Sequence, residues 1–334
     1  MADWTVTGSP AVRTLVEDGL LGAPPPEAPT SPVAFPDGGS WRVELPSVEG
    51  PAAARTALEE AESLGVPVHR ISQGSGVTML SDREITDMVQ LCRERSVELC
   101  LFARPGANWD VGASHLSPAG SPGTRARGTN QLRAAVEEIM RAGALGVTSF
   151  LVADEGVLWA AHRLRATGKL PAGTQLKVSV MAAPANPVAF AVQAGLGADT
   201  INLSSDLSLT QLAEMRGASD ATIDFYVETP DNIGGFVRYG EIGDIVRVAA
   251  PVYLKFGLRN APDVYPAGAQ LDTVTLASTR ERVRRARLGL DQLARTPGIP
   301  PMSPLGERDQ PALPRFAAPD ISTTQTAHHA GSNR

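Results

Sequence analysis

The stretches TIDFYVE (Thr222–Glu228) and VYLKF (Val252–Phe256) decide the fold. Along an extended strand successive side chains point to opposite faces. Ile223, Phe225 and Val227 therefore share one face, and Asp224, Tyr226 and Glu228 the other; Val252, Leu254 and Phe256 likewise oppose Tyr253 and Lys255. A strand that is dry on one side and charged on the other suits the wall of a parallel barrel, whose outer face packs on helices while its inner face can carry polar groups.

Outward from these two segments the alternation repeats. WRVEL (Trp41–Leu45) sets Val43 and Leu45 against Arg42 and Glu44, 175–181 sets Leu176 and Val178 against Lys177 and Ser179, and 200–203 sets Ile201 and Leu203 against Thr200 and Asn202. Strands at 68–72, Glu98–Phe102 and 148–153 bring the number to eight. Helical patterns fall between them, at 51–63, after a capping box formed by Ser81 and Glu84, and at 131–142, 157–166, 187–194, 209–215 and 278–294, with a shorter helix within 236–245. Strand then helix, eight times, predicts an α/β fold of the (β/α)8 TIM-barrel type or a close variant; a doubly wound open sheet is the rival.

Of the 27 prolines, 14 fall within 1–40 and 297–334, more than twice an even share. The expected organisation is a Pro-rich extension over 1–40, a barrel catalytic domain over 41–296 and a disordered tail over 297–334. Hydrophobic residues make up 43% of the 334 positions and charged residues 20%, a composition able to fill a large core. Thirty Lys and Arg against 36 Asp and Glu give a formal net charge of −6, so no global positive field draws nucleic acid or anionic lipid. With no basic-then-apolar leader and no membrane-length apolar run, the expectation is a cytoplasmic chain without membrane or nucleic-acid partners.

In such a barrel the carboxyl ends of the strands carry the chemistry. Gln73, Arg104, Asp154, Glu155, Asn202, Tyr226, Glu228, Lys255 and Arg259 are placed there or on the inner wall near it, with Lys177 deeper. Mixed acids and bases point to a small polar or anionic substrate, with an arginine able to clamp a carboxylate. Glu228 is read as the proton acceptor facing Lys255 across one cavity. Lys255 and Arg104 would stabilise negative charge, and Asn202 would orient the substrate. Asp154 and Glu155, with Glu228, offer acid/base groups or ligands for magnesium or manganese, although Asp154 or Glu155 capping the next helix is an equal alternative. Lys255 and Lys177 are also candidates for a Schiff-base amine, and either one in a buried ion pair is the more common arrangement. The Gly- and Pro-rich run 104–127, with His115, reads as a lid, the glycines at 74 and 76 as a tight turn, and the arginines of 278–290 as a solvated helix face. A self-neutralising interior of Arg42, Arg70, Lys177 and Lys255 with Glu44, Asp224 and Glu228 is the structural alternative.

The run from Asp154 to Arg216, followed by IDFYVE (223–228), resembles the middle of the collagenase-like peptidase family of unassigned catalytic type. The matching pieces are 179–186, Gly197 to Asp199, the Asp-Leu-Ser-Leu of 206–209, and 224–228. The resemblance implies a barrel catalytic domain; members include peptidases and proteins of RNA or quinone hydroxylation that carry a four-cysteine iron–sulfur cluster. Where members continue with His and a cluster cysteine, this chain has Glu228 and Thr229, and no cysteine follows. Cys92 and Cys100 alone cannot hold such a cluster, so none is expected, and no nucleophile–His–carboxylate set supports peptidase chemistry. The resulting expectation is an enzyme performing acid/base chemistry of lyase, isomerase or hydrolase type. A Schiff-base aldolase through Lys255 or Lys177 and a non-catalytic metabolite- or partner-binding barrel are the alternatives. The oligomeric state is not legible.

Overall fold

The computed structural model describes residues 10–19, 27–104 and 125–306. Eight parallel strands, β1 (Trp41–Leu45), β2 (Arg70–Ser72), β3 (Glu98–Phe102), β4 (Ser149–Val152), β5 (Gln175–Val178), β6 (Thr200–Asn202), β7 (Thr222–Glu228) and β8 (Val252–Phe256), close into a barrel in sequence order, β8 pairing with β1. The rival open sheet is thereby excluded. After a short α1 (Pro10–Glu17), the outer ring is α2 (Gly50–Ser63), α3 (Asp82–Glu94), α4 (Gly128–Ala144), α5 (Glu155–Ala166), α6 (Pro187–Gly195), α7 (Leu209–Ala218), α8 (Ile242–Ala249) and α9 (Asp272–Ala294). No described helix is long and apolar enough to cross a membrane.

Local chemistry sets the helix starts. Ser81 and Glu84 form the expected reciprocal capping box on α3, Ser208 and Gln211 form another on α7, and Asn186 caps α6 ahead of Pro187. Between the strands and these helices lies the main core, in which Val43, Leu45, Phe150, Leu176, Ile201, Ile223, Phe225, Leu254 and Phe256 are fully buried. Each side chain of that size contributes roughly 1.5–3 kcal/mol on burial. Packing is tight enough at α9 that a Cβ on Gly289 would lie 2.3 Å from the Phe256 ring, so only glycine lets α9 approach β8.

The inner wall divides into two sectors. Cys100 and Phe102 of β3 with Leu151 and Ala153 form a small apolar cluster, whereas β1, β2, β5, β7 and β8 supply charges. The amino-terminal end of the barrel is plugged. Arg42 reaches Asp37 at 2.7 Å, Ser303 Oγ at 3.0 Å and the Tyr253 hydroxyl at 3.1 Å, and its guanidinium lies 3.9 Å from the Phe35 ring centroid. His69 accepts the Val43 amide at Nδ1 and donates from Nε2 to the Ser303 carbonyl. Only the neutral Nε2–H tautomer can do both. Ser303, fully buried, also bonds Trp41 through the backbone, so 300–303 completes the base of the barrel.

Candidate functional site

Inside the barrel a closed ionic network fills the charged sector. Glu44 and Asp224, both fully buried, face three cations: Lys177 contacts both, at 2.6 Å from Asp224, and Arg70 lies 3.1 Å from Glu44, 3.2 Å from Asp224 and 2.9 Å from Glu98. Burial raises the Glu44 carboxyl, but Lys177, Lys255 and Arg70 outweigh it and hold the group well below its usual range. Asp224 moves the other way, because burial and the charge of Glu44 outweigh the same cations. Three anions and three cations here satisfy one another, which is the condition for so many buried charges to be tolerated. Lys177 belongs to this structural layer.

Lys255 caps the network. Its Nζ lies 3.5 Å from Glu44 and 3.8 Å from Asp224, and its closest contact is a neutral group, Asn202 Oδ1 at 2.5 Å. Asn202 is itself oriented by donating to the Val178 carbonyl at 2.6 Å. The Tyr226 ring centroid is 4.2 Å from Lys255 Nζ, and among the described residues the Tyr226 hydroxyl makes no hydrogen bond. Burial, aided by the negative charge of Glu44, raises that phenol above its ordinary range, so it keeps its proton at neutral pH.

The β8–α9 connection crosses this end of the barrel. The Tyr265 hydroxyl bonds Ser47, its ring lies where a Cβ on Gly74 would come within 2.6 Å, and the Ala267 amide donates to Ser75 Oγ at 2.8 Å. Arg104 donates to the Gly74 carbonyl at 2.9 Å, and Gln73 is spent on the Gly76 amide and carbonyl. The amides of Gly74 and Ser75 both donate to Glu49, at 2.7 and 3.0 Å, so this turn is filled by the chain's own carboxylate. Desolvation raises the Glu49 carboxyl.

Glu228 corrects the alternation argument. A register shift between Tyr226 and Glu228 pairs Glu228 with Phe256, whose ring packs against α9. A bulge of this kind adds a residue and turns the following side chain to the other face. Glu228 thus points away from Lys255. It accepts from the Tyr239 hydroxyl at 2.5 Å, from Arg285 of α9 at 3.1 and 3.2 Å, and from the Arg259 amide at 2.9 Å. The cavity expected between Glu228 and Lys255 is not formed, and Glu228 is a latch between β7 and α9.

Other candidates also separate. Asp154 caps α5 through the Val157 amide at 3.0 Å and holds the Ala126 amide at 3.1 Å, while Glu155 pairs with Arg125 at the rim. These two border a slight hollow with Val152, Leu158, Val178, Ala182 and Gln193 that has no room for a metabolite. The half-exposed Arg259 is paired with Asp231 at 2.9 Å. The three carboxylates offered as a magnesium or manganese site do not converge, and no group of three His, Cys, Asp or Glu among the described residues could hold a metal ion. The lid expectation, with His115, lies mostly outside the described residues.

The arginine-rich face of α9 is not uniformly solvated. Arg280 and Arg284 are exposed, but Arg285 binds Glu228 and Arg282 is only 6% exposed. Arg282 donates to the Ser47 carbonyl at 3.1 Å and lies electrostatically beside Tyr265, Glu49 and Tyr226. The sequence signal was present: Thr275, Thr279, Arg282, Ala286 and Gly289 follow helical spacing on the buried face of α9.

No family profile matches the sequence, and no curated protein does. Solved structures are similar at low identity. The U32 peptidase Mk0906 is 20% identical, with 57% of this chain and 70% of that one covered, at a TM-score of 0.39. A putative copper homeostasis protein CutC from Streptococcus agalactiae is 13% identical over 64% and 98%, at 0.43, and a 3-hexulose-6-phosphate synthase 12% over 75% and 99%, at 0.41. The closed strand ladder itself establishes the barrel.

Proposed function

We propose that this chain is a barrel enzyme acting on a small polar or anionic metabolite at the carboxyl-terminal mouth, with Lys255 as its central group. The observation that carries the reading is the position of Lys255 above the closed network, touching a neutral amide, with the Tyr226 hydroxyl, which makes no hydrogen bond among the described residues, beside it. In this reading the ammonium stabilises negative charge developing on the substrate, Asn202 holds Lys255 in place, and Tyr226 gives a proton. This is acid/base chemistry of lyase, isomerase or hydrolase type, without Glu228. Residues 41–296, with Phe35, Asp37 and 300–303 completing the base, form the catalytic unit in a cytoplasmic protein without nucleic-acid or membrane partners. The likeness of 154–228 to the collagenase-like peptidases supports placing the chain beside that family as a variant without cluster cysteines.

The test is a thermal-shift screen of the full chain against small organic acids, sugar phosphates and divalent ions, since a ligand of the native state raises apparent stability. A metabolite that raises the Tm of the wild type and not of Lys255→Met supports the reading; one that raises both equally removes Lys255. A Schiff-base variant is favoured at Lys255 over Lys177, because Lys177 is clamped between two carboxylates. Borohydride with a bound carbonyl compound should then leave a stable adduct on Lys255. No adduct at saturation removes that version.

A further inference from the structure

Two buried arginines lack a carboxylate within ion-pair distance among the described residues, and they differ in how their donors are used. Arg216, near the base, gives hydrogen bonds to four backbone carbonyls, those of Ser219, Ala221, Ala249 and Pro251. It fastens α7 to the starts of β7 and β8, and its donors are largely consumed. Arg282, at the mouth, makes one such bond, to Ser47; the buried Nε has no partner in either arginine. A guanidinium carries five N–H donors, and leaving a buried charge unpaired is costly. Glu49, a carboxylate with electrostatic influence on Arg282, already accepts from two amides. Burial pushes the Arg282 guanidinium down in spite of Tyr265, Glu49 and Tyr226.

We infer that Arg282 anchors an oxyanion of the substrate, a carboxylate or a phosphate, on the β8–β1 side of the mouth, with the Tyr226 hydroxyl as a second donor. A fork of parallel N–H groups suits either oxyanion. The inference rests on the mouth being the substrate site and adds what the substrate carries there. It also gives Arg282 a positioning role distinct from that of Lys255: the anion is held at the edge, and the rest of the molecule extends toward the amine.

The experiment is isothermal titration of the full chain with inorganic phosphate and, separately, acetate. The variants are Arg282→Gln, Arg282→Lys and, as an exposed control, Arg133→Gln. One of the two anions should bind the wild type. Arg282→Gln should weaken it roughly tenfold to a hundredfold, the loss of charge-assisted hydrogen bonds, and Arg282→Lys by less. Arg133→Gln should still bind it, and the preferred anion distinguishes carboxylate from phosphate substrates. If Arg282→Gln does not fold, Arg282→Lys decides through its loss of bidentate geometry. Unchanged affinity in the arginine variants, or no binding of either anion to the wild type at tens of millimolar, overturns the inference. Loss of anion binding at Arg282 together with metabolites that raise the Tm of Lys255→Met as much as that of the wild type keeps this anchor and removes Lys255 as the central group.

Discussion

At the base of the barrel Arg42 meets Asp37, Ser303 and Tyr253, and His69 has a partner on each ring nitrogen. At the mouth Arg282 meets one carbonyl, the Tyr226 hydroxyl meets none among the described residues, and Lys255 rests on a neutral amide. Both ends bury polar groups, and these are more fully bonded at the base, although Arg216 Nε and Thr174 Oγ1 there also lack a partner. Polar groups that a chain buries and completes stabilise the fold, whereas those it buries and leaves incomplete await a ligand. The Glu44–Asp224–Lys177–Arg70 layer separates the two regimes and belongs with the base.

Breaking that layer should produce the largest effect. Glu44→Gln leaves Lys177, Arg70 and Lys255 short of one charge in a dry interior, and the expected cost is about 3–5 kcal/mol in denaturant unfolding. A loss below ~1 kcal/mol would mean that water reaches the layer.

The base should also carry a pH signature. Burial lowers the His69 pKa from its usual 6.5 to about 4. The unfolded chain then binds the proton more readily between those values, so this contribution is intact above pH 6.5 and is lost as pH falls towards 4. The loss amounts to about 3 kcal/mol, at ~1.4 kcal/mol per pH unit. Unfolding curves of wild type and His69→Asn should converge as pH falls through this window. Parallel curves would contradict the neutral, fully bonded ring.

Glu228→Gln is expected to cost about 1–3 kcal/mol by weakening the Tyr239 and Arg285 latch, with anion affinity at the mouth unchanged. Altered affinity would return Glu228 to the site. The smallest effect belongs to Tyr226→Phe, within about 0.5 kcal/mol in stability, because among the described residues the hydroxyl has no hydrogen bond to lose. Its effect should appear instead as weaker anion binding.

The barrel was legible because strand alternation and helix caps are local: the seven residues of TIDFYVE suffice to set Phe225 outward and Asp224 inward, and Ser81 with Glu84 suffices to start α3. Alternation failed at Glu228, since a bulge depends on the neighbouring strand's register and not on the strand's own residues. The internal ion network was foreseeable as composition but not as pairing: Glu44 and Lys177 meet across 133 positions, and no local pattern joins them. Arg282 was hidden for the opposite reason. Its local surroundings, STRERVRR, look solvated, and only its spacing with Ala286 and Gly289 marks the buried side of α9. Ser303 lies in a Pro-rich segment that composition assigns to a tail, although its hydrogen bonds complete the base.

The division between a completed base and an uncompleted mouth is tested most directly on the chain's three lysines, Lys169, Lys177 and Lys255. Native protein is treated with formaldehyde and borohydride, and methylation of each lysine is followed by peptide mass spectrometry. The expected order is exposed Lys169 first, Lys255 next and Lys177 last, because two carboxylates hold Lys177 closely while Lys255 lies 3.5 and 3.8 Å from them and touches a neutral amide. Lys177 reacting as fast as Lys255, or Lys255 as fully protected as Lys177, would contradict it.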